Sequence, residues 1–201
     1  MKGIELFIDF TFSNTLSVLV SEDDDIKFFI SVSSSTHVSK FLPVFVKEAL
    51  GEFSSLSGIY IAKGPGSFTA LRILISYIKG IYVATSVPVF TYNSTDWMAY
   101  YIAQNKKDIK GNFSIGFYSG AKNFYYLTEY EMKNGIPTLR SSKITENRDE
   151  INFSDEDIQK ELGAKYIFYL HLKQAPQKPD IKSLQPLYIF QEILQISKKQ
   201  S

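Results

Sequence analysis

The stretch that decides the fold is Ile59–Lys79, IYIAKGPGSFTALRILISYIK. It reads as a strand, a glycine loop and a long helix. Ile59–Ala62 is a short β-branched and aromatic run, the composition of a buried strand. Lys63-Gly64-Pro65-Gly66 interrupts it, because two glycines around a proline favour a turn and continue no regular element. Ser67 stands at the N-cap position, its hydroxyl placed to accept from first-turn amides. From Phe68 to about Ala84 the pattern is helical, with no glycine before Gly80 and no proline. Its polar residues Arg72, Ser76 and Lys79 lie at i, i+4 and i+7, a single narrow stripe. A helix on the outside of a small domain normally hides one stripe and solvates the other side. This one is apolar nearly all round. Either it lies under other layers of its own chain, or a second protein covers its outer face.

The flanking strands fit the same plan. Ile4–Phe10, Thr15–Ser21 and Ile26–Val32 read as three strands, with links short enough for antiparallel hairpins. The turn Glu22-Asp23-Asp24-Asp25 lacks the spaced oxygen ligands, central glycine and closing glutamate of a calcium hand, so it reads as a solvated hairpin tip. Thr36 or Ser35 caps a helix expected over Thr36–Leu50, with Pro43 inside it as a candidate kink. Val87–Tyr92 is the next strand.

GPGSFTALR followed by IKG resembles the GPGSFTGLRIG…AKGLA signature of the TsaB (YeaZ) family, with Ala70 in place of one family glycine. That family is the non-catalytic relative of TsaD in the bacterial machinery that makes threonylcarbamoyladenosine in tRNA. The motif is long and contiguous, far more specific than a lone GxGxxG. The resemblance implies an α/β chain with the actin-like ATPase (ASKHA, ribonuclease-H-like) fold in two related lobes. The N-terminal lobe, with the partner-binding helices, is expected over 1–92. A smaller C-terminal lobe is expected over 93–201, its last segment returning to the first lobe.

Composition excludes several classes of function. With no cysteine there are no disulfides, thiolate metal sites or cysteine nucleophile, which fits a cytoplasmic protein. A net charge of +1 gives no global reason to bind nucleic acid, so any tRNA contact is expected only through a complex. No run of 18 apolar residues free of charge occurs, so no membrane span is expected. The opening MKGIELFIDF goes straight into a strand pattern without a signal-peptide cleavage site.

The candidate site residues fall into two groups. Asp9, Thr11, Gly64, Gly66, Ser67 and Thr69 are the nucleotide- or phosphate-loop remnant. In the actin-like fold the first hairpin carries an aspartate followed by small residues, whereas here Asp9 is followed by Phe10 and Phe12. Backbone approach to a phosphate needs little side chain there. The simpler reading of Asp9 is a strand-end carboxylate bonded to its own turn. Phe41, Val44, Phe45, Phe68, Leu71, Leu74, Ile75 and Ile78 are the expected partner interface. No catalytic residue and no metal ligand set is expected. His37 matches one histidine of the TsaD-like metal pair, but Phe41 stands at the second position, and the chain lacks HExxH.

In the second half, Ser94 is expected to cap a helix over Thr95–Gln104. Strands follow at Phe113–Tyr118, Phe124–Met132 and Ile136–Ile144, with a turn at Asn134-Gly135. Ser154 with Asp157 forms a capping box for a further helix. Tyr166–Leu170 is expected as a strand, and the remainder of the chain after Phe190 as a helix with a frayed end. Tyr118–Asn123 and Phe190 depart from the family pattern, so charged roles at those places do not transfer.

The resemblance implies a non-catalytic scaffold that dimerises with TsaD and supports threonylcarbamoyl transfer to the adenine next to the tRNA anticodon. TsaE docks on the pair, and the same surface makes homodimers when TsaD is absent. No cofactor is expected on this chain alone, with ATP or ADP at a shared interface in the complex. The alternative is a stand-alone metallopeptidase-like or nucleotide-hydrolysing enzyme of the same fold.

Overall fold

Three hairpin-linked strands open the computed structural model: β1 (Ile4–Asp9), β2 (Thr15–Glu22) and β3 (Asp25–Ser33). The structure describes residues 3–12, 14–34, 38–50, 56–106, 109, 111–119, 123–161 and 177–187. Asp23 and Asp24 make the β2–β3 turn, both at positive φ (54° and 71°). Two such residues match the twist of a two-residue hairpin. The tip is exposed, and Lys27 stands 3.7 Å from Glu22 and from Asp25.

After a 3-10 turn at Val38–Phe41 come α1 (Leu42–Leu50), β4 (Leu56–Ala62), α2 (Phe68–Thr85) and β5 (Val89–Tyr92). The sheet order is β3-β2-β1-β4-β5. β1 is antiparallel to β2 and parallel to β4, and β4 is parallel to β5. Three meandering strands followed by two parallel crossovers form the ribonuclease-H-like sheet of the actin-like fold.

The core follows from alternation along the strands. Leu6, Ile8 and Phe10, Leu16, Val18 and Val20, and Ile59 and Ile61 join one buried cluster. Leu42, Val46 and Ala49 of α1 and Leu74, Ile75 and Ile78 of α2 belong to the same cluster, so both helices cover one face of the sheet. On the other face Phe7 stacks on Tyr60 at 4.6 Å, and Tyr60 on Phe90 at 4.9 Å. Strands buried on both faces read as near-continuous apolar runs, which is why β1 and β4 stand out in the sequence.

Two helix expectations need correction. The helix expected over Thr36–Leu50 is a 3-10 turn followed by the nine residues of α1. Pro43 sits in the first turn of α1, just after the 3-10 turn, where a missing N–H costs no bond within the α-helix. Its expected caps Ser35 and Thr36 lie outside the described residues, as does His37. Ser67 is the N-cap of α2 by position, but its side chain makes no capping bond. α2 ends at Ser86, which takes the left-handed conformation and donates its N–H to Tyr82 O. By length and composition α2 is apolar enough to cross a membrane, and the sequence reading expected no such segment. Here Ala70, Leu71, Leu74, Ile75 and Ile78 pack it onto the sheet.

Gly80 lies inside α2, exposed, and a Cβ added there meets nothing within 4 Å. Gly80→Ala is therefore expected to stabilise the chain by up to ~1 kcal/mol through helix propensity, read as a raised urea midpoint.

The chain forms two compact units, one of residues 1–94 with 172–187, the other of 95–171 with 188–201. The second contains most of α3 (Ser94–Asn105), then β6 (Asn112–Tyr118), β7 (Tyr125–Lys133), β8 (Ile136–Thr145), β9 (Phe153–Ser154) and α4 (Asp155–Glu161). Its sheet runs β8-β7-β6-β9. Asn134 and Gly135 turn β7 into β8 with φ of 52° and 79°. The Tyr130 hydroxyl donates to Asp96 Oδ1 at 2.7 Å and lies 2.9 Å from Thr95 Oγ1, tying α3 to β7. Burial first, and the Asp96 carboxylate next, raise its pKa well above the phenol range. Asp157 N–H donates to Ser154 Oγ, the capping contact read from the sequence. The strand expected at Tyr166–Leu170 and the helix expected after Phe190 lie outside the described residues.

Candidate functional site

The glycine loop and the end of β1 meet in a buried knot. Asp9 Oδ1 accepts from Thr11 N–H at 2.9 Å, the turn-bonded carboxylate that its sequence position suggested. Thr11 Oγ1 lies 3.0 Å from Asp9 Oδ2 and 2.9 Å from Ser94 Oγ. One hydroxyl proton serves one acceptor, and the carboxylate is the stronger of the two. Tyr92 OH approaches Asp9 Oδ2 at 3.5 Å. Thr11 and Ser94 are fully buried, and Asp9 nearly so.

The loop closes on this turn through its backbone. Ser67 N–H donates to Thr11 O at 2.8 Å, and Ser94 N–H to Gly64 O at 2.8 Å. Lys63 N–H bonds Tyr92 O, and Lys63 O accepts from Leu187 N–H at 2.7 Å. Gly66 is pressed so close that a Cβ would stand 2.6 Å from Thr11 O. Gly64 has φ of +118°. The first site group is thus brought together at Asp9, Thr11, Gly64, Gly66 and Ser67, while Thr69 is exposed on the first turn of α2. Its observed work is to lock the end of β1, the glycine loop and Ser94 to one another. Phe10, expected to crowd a phosphate, is 2% exposed and belongs to the core cluster. Its bulk therefore points away from the knot. Sequence reading missed Ser94 as a member, since nothing local shows that a helix-start serine meets a strand end 83 residues earlier.

The second group splits. Leu71, Leu74, Ile75 and Ile78, expected on a partner face, are at most 4% exposed and pack inside their own unit. Period-3.6 counting cannot tell the inner face of an all-round apolar helix from the outer one. Val44 and Phe68 are exposed, at 56% and 50%, while Phe41 and Phe45 are half-buried and stacked at 5.6 Å. The outer face of α2 also carries Ile73 and Val83, the latter 83% exposed, and neither was singled out beforehand as an interface residue.

A model of the family described as TsaD: tRNA N6-adenosine threonylcarbamoyltransferase matches residues 31–145, more than half of the chain. The tRNA threonylcarbamoyladenosine biosynthesis protein TsaB of Buchnera aphidicola subsp. Acyrthosiphon pisum is 25% identical over 104 residues. The chain belongs to the TsaD family, as a TsaB (YeaZ) member. The matched part spans 51% of this chain and 45% of that TsaB. The structure of YeaZ from Pseudomonas aeruginosa superposes with a TM-score of 0.66 at 15% identity, covering 93% of this chain and all of the other. A second Pseudomonas aeruginosa structure, described as similar to peptidase YEAZ, gives 0.65 at 16%, covering 93% and 99%. At these identities the two structures speak to the fold, which this TsaB member shares.

The second unit of the TsaB-family chain adds two features that the sequence did not announce. A groove of about 520 Å³ is lined by Asn112, Ser114, Glu129, Arg140, Glu150 and Asn152 among others. Its charged groups already have partners: Glu150 pairs with Lys143 at 2.6 Å, and Arg140 lies 4.0 Å from Glu131. Asp155, 7% exposed at the start of α4, accepts Tyr118 N–H at 3.1 Å. Burial pushes its carboxyl up to about 6, partly offset by that amide. The unfolded carboxyl titrates near ~3.9, so between ~4 and ~6 the native state holds the extra proton. Stability is then expected to fall by on the order of 2 kcal/mol as pH rises through that window, and to level above it. Asp155→Asn keeps the acceptor for Tyr118 and removes the ionisation. Urea unfolding from pH 4 to 7.5 should show this slope flattened in the variant.

Proposed function

We propose that this chain acts in tRNA threonylcarbamoyladenosine biosynthesis as a non-catalytic subunit. It pairs with a TsaD-family transferase through the outer face of α1 and α2 and supports that enzyme's transfer to tRNA. The observation that carries this reading is apolar surface on helices whose inner faces are already used. Val44, Phe68, Ile73 and Val83 remain exposed on α1 and α2, while Ile26 of β3 is the other large apolar side chain exposed among the described residues of this unit. Large apolar side chains left exposed along the helices of a unit support a surface that a partner covers. A stable contact there would remove about 1,600 Å² in total from water. Family membership supports TsaD as that partner.

The absence of catalysis is supported by the engagement of Asp9 within its own turn and with Thr11. A carboxylate held this way organises backbone and is poorly placed to activate water. ATP or ADP is proposed to sit at the shared interface of the complex, and TsaE to dock on the assembled pair. Light scattering of the chain alone, of TsaD alone and of the mixture tests the pairing. A 1:1 complex that Val83→Asp abolishes is the expected outcome, and separate masses at micromolar concentrations would sink it. ATP turnover by the isolated chain above a buffer blank would reverse the non-catalytic reading.

A further inference from the structure

We propose that residues 177–187 form a releasable strap: docked, it lies over the glycine loop, and it opens as one piece while the sheet of the first unit stays folded. The inference is independent of what meets the outer face of α1 and α2.

The strap is held at three points. At its start Gln177 pairs with Thr91, 86 positions earlier, on β5 at the edge of the sheet. Thr91 N–H donates to Gln177 O at 2.8 Å, and Gln177 N–H returns a bond to Thr91 O at 3.1 Å. In its middle, Ile181 and Leu184 join the buried cluster that holds Leu74, Ile75 and Ile78 of α2. The Lys79 ammonium of the same helix donates to Lys182 O at 3.1 Å. At its end Leu187 N–H donates to Lys63 O at 2.7 Å. Leu187 also lies directly on Gly64, where an added Cβ would stand 3.1 Å from Leu187 Cβ. Release would therefore bare Gly64 and Lys63 O of the loop, and the amide of Thr91 on the sheet edge.

This anchorage is thin for its length. Of the eleven residues only Ile181, Leu184 and Pro186 are buried. Every ordered residue loses conformational entropy, whether or not its side chain is buried. Segments with few buried apolar contacts open well below the global free energy, and they do so as contiguous units. The strap also keeps its own shape. Asp180 Oδ1 accepts from Lys182 N–H at 3.1 Å, and Asp180 Oδ2 from the Ser183 hydroxyl at 3.1 Å, a turn bonded to itself. Pro179 and Pro186 fix φ at two further positions. A segment restrained locally in this way has less freedom to lose when it docks again. The central strand β1 is the opposite case, paired with β2 on one side and β4 on the other.

The test is amide-resolved hydrogen exchange by NMR on the full chain, at increasing sub-denaturing urea. The amides of Thr91, Gln177 and Leu187 report the strap, and those of Phe7 and Ile8 report the sheet. The three strap amides are expected to share one protection factor, about tenfold or more below that of the sheet amides, with a shallow urea slope. Protection and slope equal to those of β1 would overturn the inference, because the strap would then open only when the unit unfolds. Three unrelated protection factors would overturn it too, because the segment would fray residue by residue. Two variants check the same point by an independent route. Leu184→Ala weakens the docked state and is expected to speed exchange of all five amides, by about tenfold or more. Leu19 is buried on β2 but lies outside the cluster that holds Ile181 and Leu184. Leu19→Ala is expected to speed exchange at Phe7 and Ile8 and leave the three strap amides as in the parent. Equal acceleration of all five amides by Leu19→Ala would sink the idea of a separable strap.

Discussion

Leu74→Glu is expected to leave no folded protein. The side chain is fully buried in the cluster that joins α1 and α2 to the sheet. The substitution removes a packed leucine and places a carboxylate inside a cluster made of apolar side chains. Loss of the packing alone costs about 2–5 kcal/mol. The unpaired polar group adds several more unless it stays protonated, which together reaches the whole stability of an ordinary domain at about 5–15 kcal/mol. The expected readout is insoluble expression or a lost cooperative melt. Val83→Asp, at a residue 83% exposed, is expected to melt within about 0.5 kcal/mol of the parent. The two residues lie nine positions apart on one helix, so only their faces differ. A normal melt for Leu74→Glu would mean that α2 does not pack as described.

Gly66→Ala carries the second large effect. A Cβ at this position stands 2.6 Å from the carbonyl oxygen of Thr11 and 3.1 Å from its Cα, so the obstacle is backbone. The neighbouring Ser67 N–H donates to that same oxygen. Opening the gap therefore lengthens that hydrogen bond, or displaces a turn already bonded to Asp9 and lying against Ser94. About 2–3 kcal/mol of destabilisation is expected, as for overpacking without a flexible neighbour. Gly80→Ala is the matched control, with the opposite sign. Equal melts for the two variants would show that the loop and the β1 turn do not meet this closely.

Much of the site was legible because its chemistry is local. The Lys63–Ser67 loop announces itself by residues that cannot continue a strand, and a strand-end aspartate favours bonding the amide two residues on, as Asp9 does with Thr11. The meander of β1 to β3 follows from alternation and short polar links. What escaped depends on distance along the chain. Ser94 reaches the knot because β5 runs parallel to β4, and that pairing joins residues about 30 positions apart. Gln177 bridges to Thr91, adding a contact to the edge strand that no local pattern foretells.

The amino-acid order alone determined the strands β1 to β5, helix α2, the glycine joint and the membership of the family, because periodicity, turn chemistry and a contiguous motif are local properties of a chain. Which side of α2 faces inward was decided only by the tertiary structure. Its apolar residues wrap the helix, so any rotation about its axis satisfies the pattern. Packing against the β1–β2–β4 face selects one rotation, buries Leu71, Leu74, Ile75 and Ile78, and leaves Phe68, Ile73 and Val83 outside.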